Sequence, residues 1–294
     1  MLFRSKTRVI TVTTLVMVLI NVFLDYALIF GNFGFPAMGI AGAAIASVVA
    51  EISSTLAFLA YTLMKGSVKQ YKLFSFNVIS PKLLLRLLRI SLPIMLQNFL
   101  GFGVWFLFFL IIEKMGETQL AVSNIIRSVY IVLSVPIMGF ASATNTLVSY
   151  VIGQGRQHEV LATIGKIAVI CVSSVALVVG ICATMPRHII SIYTSDPVLI
   201  QMGVPILYIS VVSTVLMGLG SILFNGISGT GKTRISLYIE IIAITVYLAY
   251  ATNMALVFRA SIVSVWTVEI VYGLLLSFVS FAYLKSKRWM GTEV

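Results

Sequence analysis

The chain has 294 residues, of which 60% are apolar and only 10% charged, with a formal net charge of +11 and a mean hydropathy of +1.07. A water-soluble domain of this length needs a polar surface that such a composition cannot supply, so lipid is the solvent for most of the chain. The positive charge falls between apolar runs rather than on one face of a soluble fold, which argues against nucleic-acid binding.

Eight stretches are apolar over the roughly 20 residues needed to cross the hydrocarbon core. They run at about 9–30, 39–63, 91–112, 119–150, 160–184, 199–224, 235–257 and 260–284. The expected fold class is therefore all-α, a polytopic transmembrane helical bundle. All but four of the 20 Lys and Arg residues fall on one side of these spans. That side holds Arg4, Lys6 and Arg8, then Lys65, Lys69, Lys72, Lys82, Arg86 and Arg89, then Arg156 and Lys166, Lys232 and Arg234, and finally Lys285, Lys287 and Arg288. The other side has Lys114, Arg187 and Arg259, and Arg127 falls inside the fourth span. Positive residues stay cytoplasmic, so both termini are expected in the cytoplasm of an integral plasma (inner) membrane protein, with anionic lipid headgroups facing the cations. The first span is too long for a signal peptide, and no small-residue cleavage pattern follows it.

An ionisable residue inside a span is costly and is by default a functional candidate. In the first span Asn21 precedes Asp25 by four residues, so both project from one helix face, and Thr14 continues that stripe. An amide oxygen and a carboxylate are hard ligands that suit Na⁺; alternatively, Asn21 holds the Asp25 carboxyl for proton exchange. The bland reading, that Asp25 reaches the outer interface, stays open. Glu51 lies near the middle of the second span with Ser47 and Ser54 on its face, and it is expected to meet a cavity or a protein partner. The loop at 64–90 contains Pro81 and an amphipathic stretch from Lys82 to Arg89 that suits a helix in the cytoplasmic interface. It divides the chain into 1–63, a pair of spans, and 91–294, a set of six spans with a cytoplasmic tail.

The third span carries Pro93, Gln97 and Asn98, and the fourth carries Asn124 and Arg127, then Pro136, Gly139 and the run Thr144-Asn145-Thr146. These residues either line a polar path or form interhelical hydrogen bonds worth about 0.6 kcal/mol each. Cys171 and Cys182 lie eleven apart on one span and cannot bridge within a helix; His158 and His188 fall on opposite sides of the membrane, which excludes a His-pair metal site. The 12 Met and 18 Phe residues are ordinary packing in lipid, and soft side chains also suit promiscuous ligands. Glu240 lies near the start of the seventh span, where it is expected to reach cytoplasmic water. Glu269, in the eighth, has Trp266, Tyr272 and Gly273 on its face and reads as a packed, hydrogen-bonded acid or a cavity residue. Ala50-Glu51-Ile52 before Tyr61 and Val268-Glu269-Ile270 before Tyr283 form a faint internal repeat, of the kind secondary transporters show.

Gly226 to Thr233 satisfies G-x-x-x-x-G-K-[ST], the phosphate-loop pattern. A phosphate loop must leave a buried β-strand and open a helix so that backbone N–H groups converge on phosphate. Here an apolar span precedes it and no soluble α/β domain surrounds it. A Gly-rich turn between helices is expected, without nucleotide.

Several of these stretches resemble one family. Asn21-Val-Phe-Leu-Asp25-Tyr-Ala-Leu-Ile-Phe-Gly31, followed by Gly34-Phe-Pro36-Ala-Met-Gly39-Ile-Ala-Gly42 and Ala46-Ser, is similar to the fifth and sixth spans of the multidrug and toxic compound extrusion (MATE) family. Ser91-Leu-Pro93 resembles the start of the seventh span. Ala121 to Arg127, with Pro136, Gly139, Ala141 and Gly153-Gln-Gly155, resembles the eighth, and Gly229 to Arg234 the turn after the tenth. The resemblance implies a two-lobe transporter fold lacking its first four helices: 1–63 would be the end of the first lobe, 64–90 the linker and 91–294 the second lobe. It implies a fragment, a truncated product or a half-pump. It further implies an antiporter, not an enzyme, that expels organic cations or amphipathic drugs in exchange for Na⁺ or H⁺, with no other cofactor. Asn21 and Asp25 match the family's first-lobe cation site. Family members with acids in the seventh and tenth spans differ from this chain, whose spans 91–112 and 199–224 have none, so the resemblance implies coupling through the first lobe. The nearest alternatives are a lipid-linked polysaccharide or precursor flippase of the same superfamily and an inactive remnant. Glu51, Gln97, Asn98, Asn124, Arg127 and Glu269 are the candidate cavity residues.

Overall fold

The computed structural model describes residues 7–64 and 80–290, and every regular element among them is helical. Arg4, Lys6, Lys65, Lys69 and Lys72, and the linker at 65–79, lie outside the described residues. The chain forms two compact units, Met1–Ser80 and Pro81–Val294. Eight helices among the described residues are long and apolar enough to cross a membrane.

The first unit is a hairpin of α1 (Thr7–Phe30) and α2 (Ile40–Met64). Gly31 ends α1 at φ 73°, a left-handed conformation that side chains resist, and a Cβ there would also lie 2.9 Å from the backbone nitrogen of Ala37. The returning chain satisfies the last carbonyls of α1: the Met38 N–H donates to Leu28 O at 2.8 Å and the Gly39 N–H to Ile29 O at 3.3 Å. Gly42 lets the helices touch, since a Cβ there would lie 2.6 Å from Leu28 O. Small residues at such contacts are the usual basis of helix packing in lipid, where no hydrophobic force draws helices together.

The second unit contains α3 (Pro81–Glu113), α4 (Glu117–Gly153), α5 (Val160–Thr184), the short α6 (Pro186–Ser191), α7 (Pro197–Gly229), α8 (Thr233–Thr252), the one-turn α9 (Ile262–Trp266) and α10 (Val268–Lys285). Helix α7 is the hub, packed against α4, α5 and α10, while α8 packs against α3 and α10. Phe108, Ile126, Ile206, Leu207 and Trp266 are fully buried at the centre. The Trp266 indole N–H donates to Ser123 Oγ at 3.0 Å, so the largest core side chain leaves no polar atom unpaired. Cys171 is buried against α7 and both cysteines are free.

The amphipathic stretch at 82–89 is not a separate linker helix. It forms the first turns of α3, which runs unbroken for 33 residues from Pro81. Proline at the first helical position starts the helix, and Leu, Lys and Arg sustain it through Pro93. At ~1.5 Å per residue α3 is about 50 Å long, well beyond a ~30 Å hydrocarbon core, so its first turns reach past it. The eighth span is divided into α9 and α10 at Thr267. Pro81, Pro186 and Pro197 open helices, whereas Pro93, Pro136 and Pro205 lie inside α3, α4 and α7. Each internal proline removes one backbone donor.

Candidate functional site

A cavity of about 670 Å³ opens in the second unit, walled by α3, α4, α7, α8 and α10. Amides and hydroxyls from Gln97, Asn98, Asn145, Asn225 and Ser228 line one part of it. Trp105, Tyr130, Met138, Met217 and Tyr272 line another part and are shared with a recess of about 200 Å³, where Tyr247 and Glu269 join them. Among the described residues no lysine or arginine lines either space.

The acid in the recess is held by tyrosines from two other helices. Glu269 is 2% exposed. The Tyr247 hydroxyl on α8 donates to its Oε1 at 2.7 Å, and the Tyr130 hydroxyl on α4 reaches Oε2 at 3.5 Å. Glu269 sits in the first turn of α10, where the helix dipole favours an anion. Glu240 on α8 lines the cavity, is 6% exposed, and accepts from the Tyr272 hydroxyl at 2.9 Å. The rings interlock: Tyr247 and Tyr272 meet edge to face with centroids 5.7 Å apart, and Trp105 and Tyr130 lie 5.5 Å apart. Neither carboxylate has an ion-pair partner among the described residues. Two unpaired acids among aromatic faces form a low-dielectric space whose field favours a cation.

Glu240 departs from the expectation. Its position near the start of a span suggested access to water, but α3 and α10 pack around that end of α8 and enclose it. A signal was present: Glu240 and Tyr247 are seven residues apart, on one face of a helix. Glu240 on α8 thus lines the cavity, and Glu269 on α10 lines the adjoining recess.

The other candidates separate. Gln97 lines the cavity and its amide donates to Thr233 O at 3.1 Å, tying α3 to α8. Asn98 lines the cavity and is exposed. Asn124 is not among the lining residues; its amide donates to Leu120 O at 3.0 Å, one turn back on its own helix. Arg127 does not line the cavity either, because its guanidinium lies over the Phe109 ring, 4.6 Å from the centroid. Glu51 is on the exposed face of α2 in the first unit. In that unit the Asn21 amide reaches Ser47 Oγ at 3.4 Å, and Asp25 Oδ1 is buried with no hydrogen-bond partner among the described residues.

Of the glycines in the phosphate-loop pattern, only Gly231 lies in a turn. Gly226 and Gly229 lie within α7, and their bare backbones face neighbouring helices. A Cβ on Gly226 would lie 2.6 Å from Ile164 Cδ1, and one on Gly229 would lie 2.8 Å from Asn145 O. Only Thr230, Gly231 and Lys232 form the turn, shorter than the sequence suggests, and the N–H groups of Thr230 and Gly231 are spent on Ile227 O and Ser228 O. These two N–H groups are therefore not turned toward a phosphate.

A family model described as MatE matches residues 93–252. The probable multidrug resistance protein NorM of Thermotoga maritima is 28% identical over 274 residues, covering 92% of this chain and 58% of its own length. The multidrug export protein MepA of Staphylococcus aureus is 24% identical over 223 residues, covering 73% of this chain and 46% of its own. Among solved structures, an outward-facing multidrug resistance MATE family transporter of the MOP superfamily matches with a TM-score of 0.81 at 21% identity, over 94% of this chain and 61% of that one. A MOP superfamily transporter from Pyrococcus furiosus matches with a TM-score of 0.83 at 21% identity, over 96% and 63%. The chain thus spans less than two thirds of the length of these relatives, and it shares their fold over nearly all of its own.

Proposed function

We propose, from the premise that this chain belongs to the MatE family, that it is the working part of a secondary transporter that expels organic cations or cationic amphipathic drugs in exchange for Na⁺ or H⁺. The carrying observation is the character of the cavity and its adjoining recess: two buried carboxylates, Glu240 in the one and Glu269 in the other, among aromatic and methionine side chains, with no Lys or Arg in either lining among the described residues. An amphipathic cation finds a counter-charge, π faces and deformable apolar walls there. A flippase for anionic lipid-linked precursors would need cations in that lining.

The coupling ion is assigned to Asn21 and Asp25. Support comes from the orphaned Asp25 Oδ1, a buried acceptor without a donor, with the Asn21 amide one turn before it. A Na⁺ or a proton there would remove the cost of that orphan. Antiport needs only that the ion favour one lobe conformation and the cargo the other. The termini are placed in the cytoplasm of the inner membrane by the distribution of Lys and Arg.

The test is efflux by the full-length native protein in proteoliposomes. A fluorescent organic cation should be expelled when a Na⁺ or pH gradient is imposed and not without one, and a neutral or anionic amphiphile should not be expelled. Expulsion of an anionic lipid-linked substrate alone would reject the cation reading.

A further inference from the structure

We infer that the groove between the first turns of α3 and the start of α8 is a binding site for an anionic phospholipid. Arg89 and Arg234 would engage the phosphate, and a leucine stripe would engage the acyl chains. The groove has a volume of about 520 Å³ and is separate from the cargo cavity, so the inference stands whether or not the transport reading does.

Three observations carry it. The first is charge. Arg89 and Arg234 both line the groove, no carboxylate lines it, and neither arginine is ion-paired among the described residues. Two exposed arginines from different helices border the same groove, and a guanidinium's paired N–H donors match a phosphate in geometry and charge. The second is depth. Counting about 20 residues back from the far ends of the two apolar spans, Glu113 and Val257 (the latter five residues beyond the end of α8), puts the hydrocarbon boundary near Pro93 on α3 and Leu237 on α8. Arg89 and Arg234 therefore stand at headgroup level on the side that the charge pattern makes cytoplasmic.

The third is the apolar continuation. Leu85, Arg89, Leu92 and Leu96 follow one another at i, i+4, i+7 and i+11, on one face of α3. Leu92 and Leu96 rise about 4.5 and 10 Å beyond Arg89 toward the membrane centre, as an acyl chain hanging from a phosphate would. Leu237 and the exposed Tyr238 complete the wall from α8, with Tyr238 at the depth where aromatic belts form. A water-soluble phosphate ligand would have no use for five leucines.

The test uses the purified full-length protein in a non-ionic detergent, with phosphatidylglycerol, phosphatidylcholine or inorganic phosphate added. Phosphatidylglycerol should raise the melting temperature and stay bound in native mass spectra, and neither other probe should match it. The double variant Arg89→Gln/Arg234→Gln should bind phosphatidylglycerol at least tenfold more weakly, while Arg89→Lys/Arg234→Lys should keep a measurable preference. Equal binding of phosphatidylcholine, an equal effect of inorganic phosphate, or an unchanged preference in the double Gln variant would overturn the site. A photoactivatable phosphatidylglycerol checks the native sequence without any substitution. It should label residues within 85–96 or 234–238, and labelling elsewhere alone would overturn the site even if the variants fail to fold.

Discussion

The Tyr247 hydroxyl donates to Glu269 Oε1 at 2.7 Å, joining α8 to α10 inside the aromatic recess. Among the described residues Glu269 accepts one other hydrogen bond, the long one from Tyr130. One tyrosine therefore fixes the orientation of the acid while its second oxygen stays loosely held. Replacing Tyr247 by Phe should free the carboxylate to rotate and remove a hydrogen bond to a group that carries charge when ionised, a loss of roughly 1.5–3 kcal/mol in stability. Thermal unfolding in detergent would show it as a lowered midpoint.

Glu269→Gln keeps the shape of the recess and removes its charge. Affinity for a monovalent organic cation should fall tenfold or more, while affinity for a neutral analogue of the same size should stay within a factor of two. Fluorescence titration of the two probes gives both numbers. An equal loss for both would mean that Glu269 serves the packing of the recess and not the recognition of charge.

Asp25→Asn in the full-length protein should abolish ion-driven efflux while membrane insertion and expression remain normal. The comparison is vesicle transport against the amount of protein in the membrane fraction. Efflux at the native rate would remove Asp25 from coupling.

The phosphate-loop pattern gives a paired prediction. Lys232→Ala should leave transport unchanged, and the native protein should bind no ATP in equilibrium dialysis. Gly229→Val should destabilise the second unit by about 1–3 kcal/mol, because its side chain would be driven into Asn145 O and Val148. In a nucleotide site the lysine would matter most; in a helix contact the glycine does.

The eight spans could be read from the sequence because membrane thickness fixes a length that composition alone reveals. That Asn21 and Asp25 stand one turn apart on α1 could also be read, while the Asn21 amide's bond to Ser47 on α2 could not. The placing of Glu240 in the cavity and of Glu269 in the adjoining recess could not, since it depends on how α8 and α10 pack, and no local pattern encodes that packing. Arg127 misled for a related reason: a charge deep in a span suggests a pathway, yet the Phe109 ring already accepts it. The start of α3 was not read because its first turns, Lys82 to Arg89, are basic and amphipathic, unlike the apolar span into which they run.

The three internal prolines have a mechanical consequence. A helix that lacks a rung of its ladder bends at lower cost than an intact one. Pro93, Pro136 and Pro205 place such soft joints in α3, α4 and α7, while α5, α8 and α10 have none. The soft struts all border the cavity, and both acids stand on stiff ones. The chamber can therefore change its width by flexing one set of walls while the charges hold their register on the other.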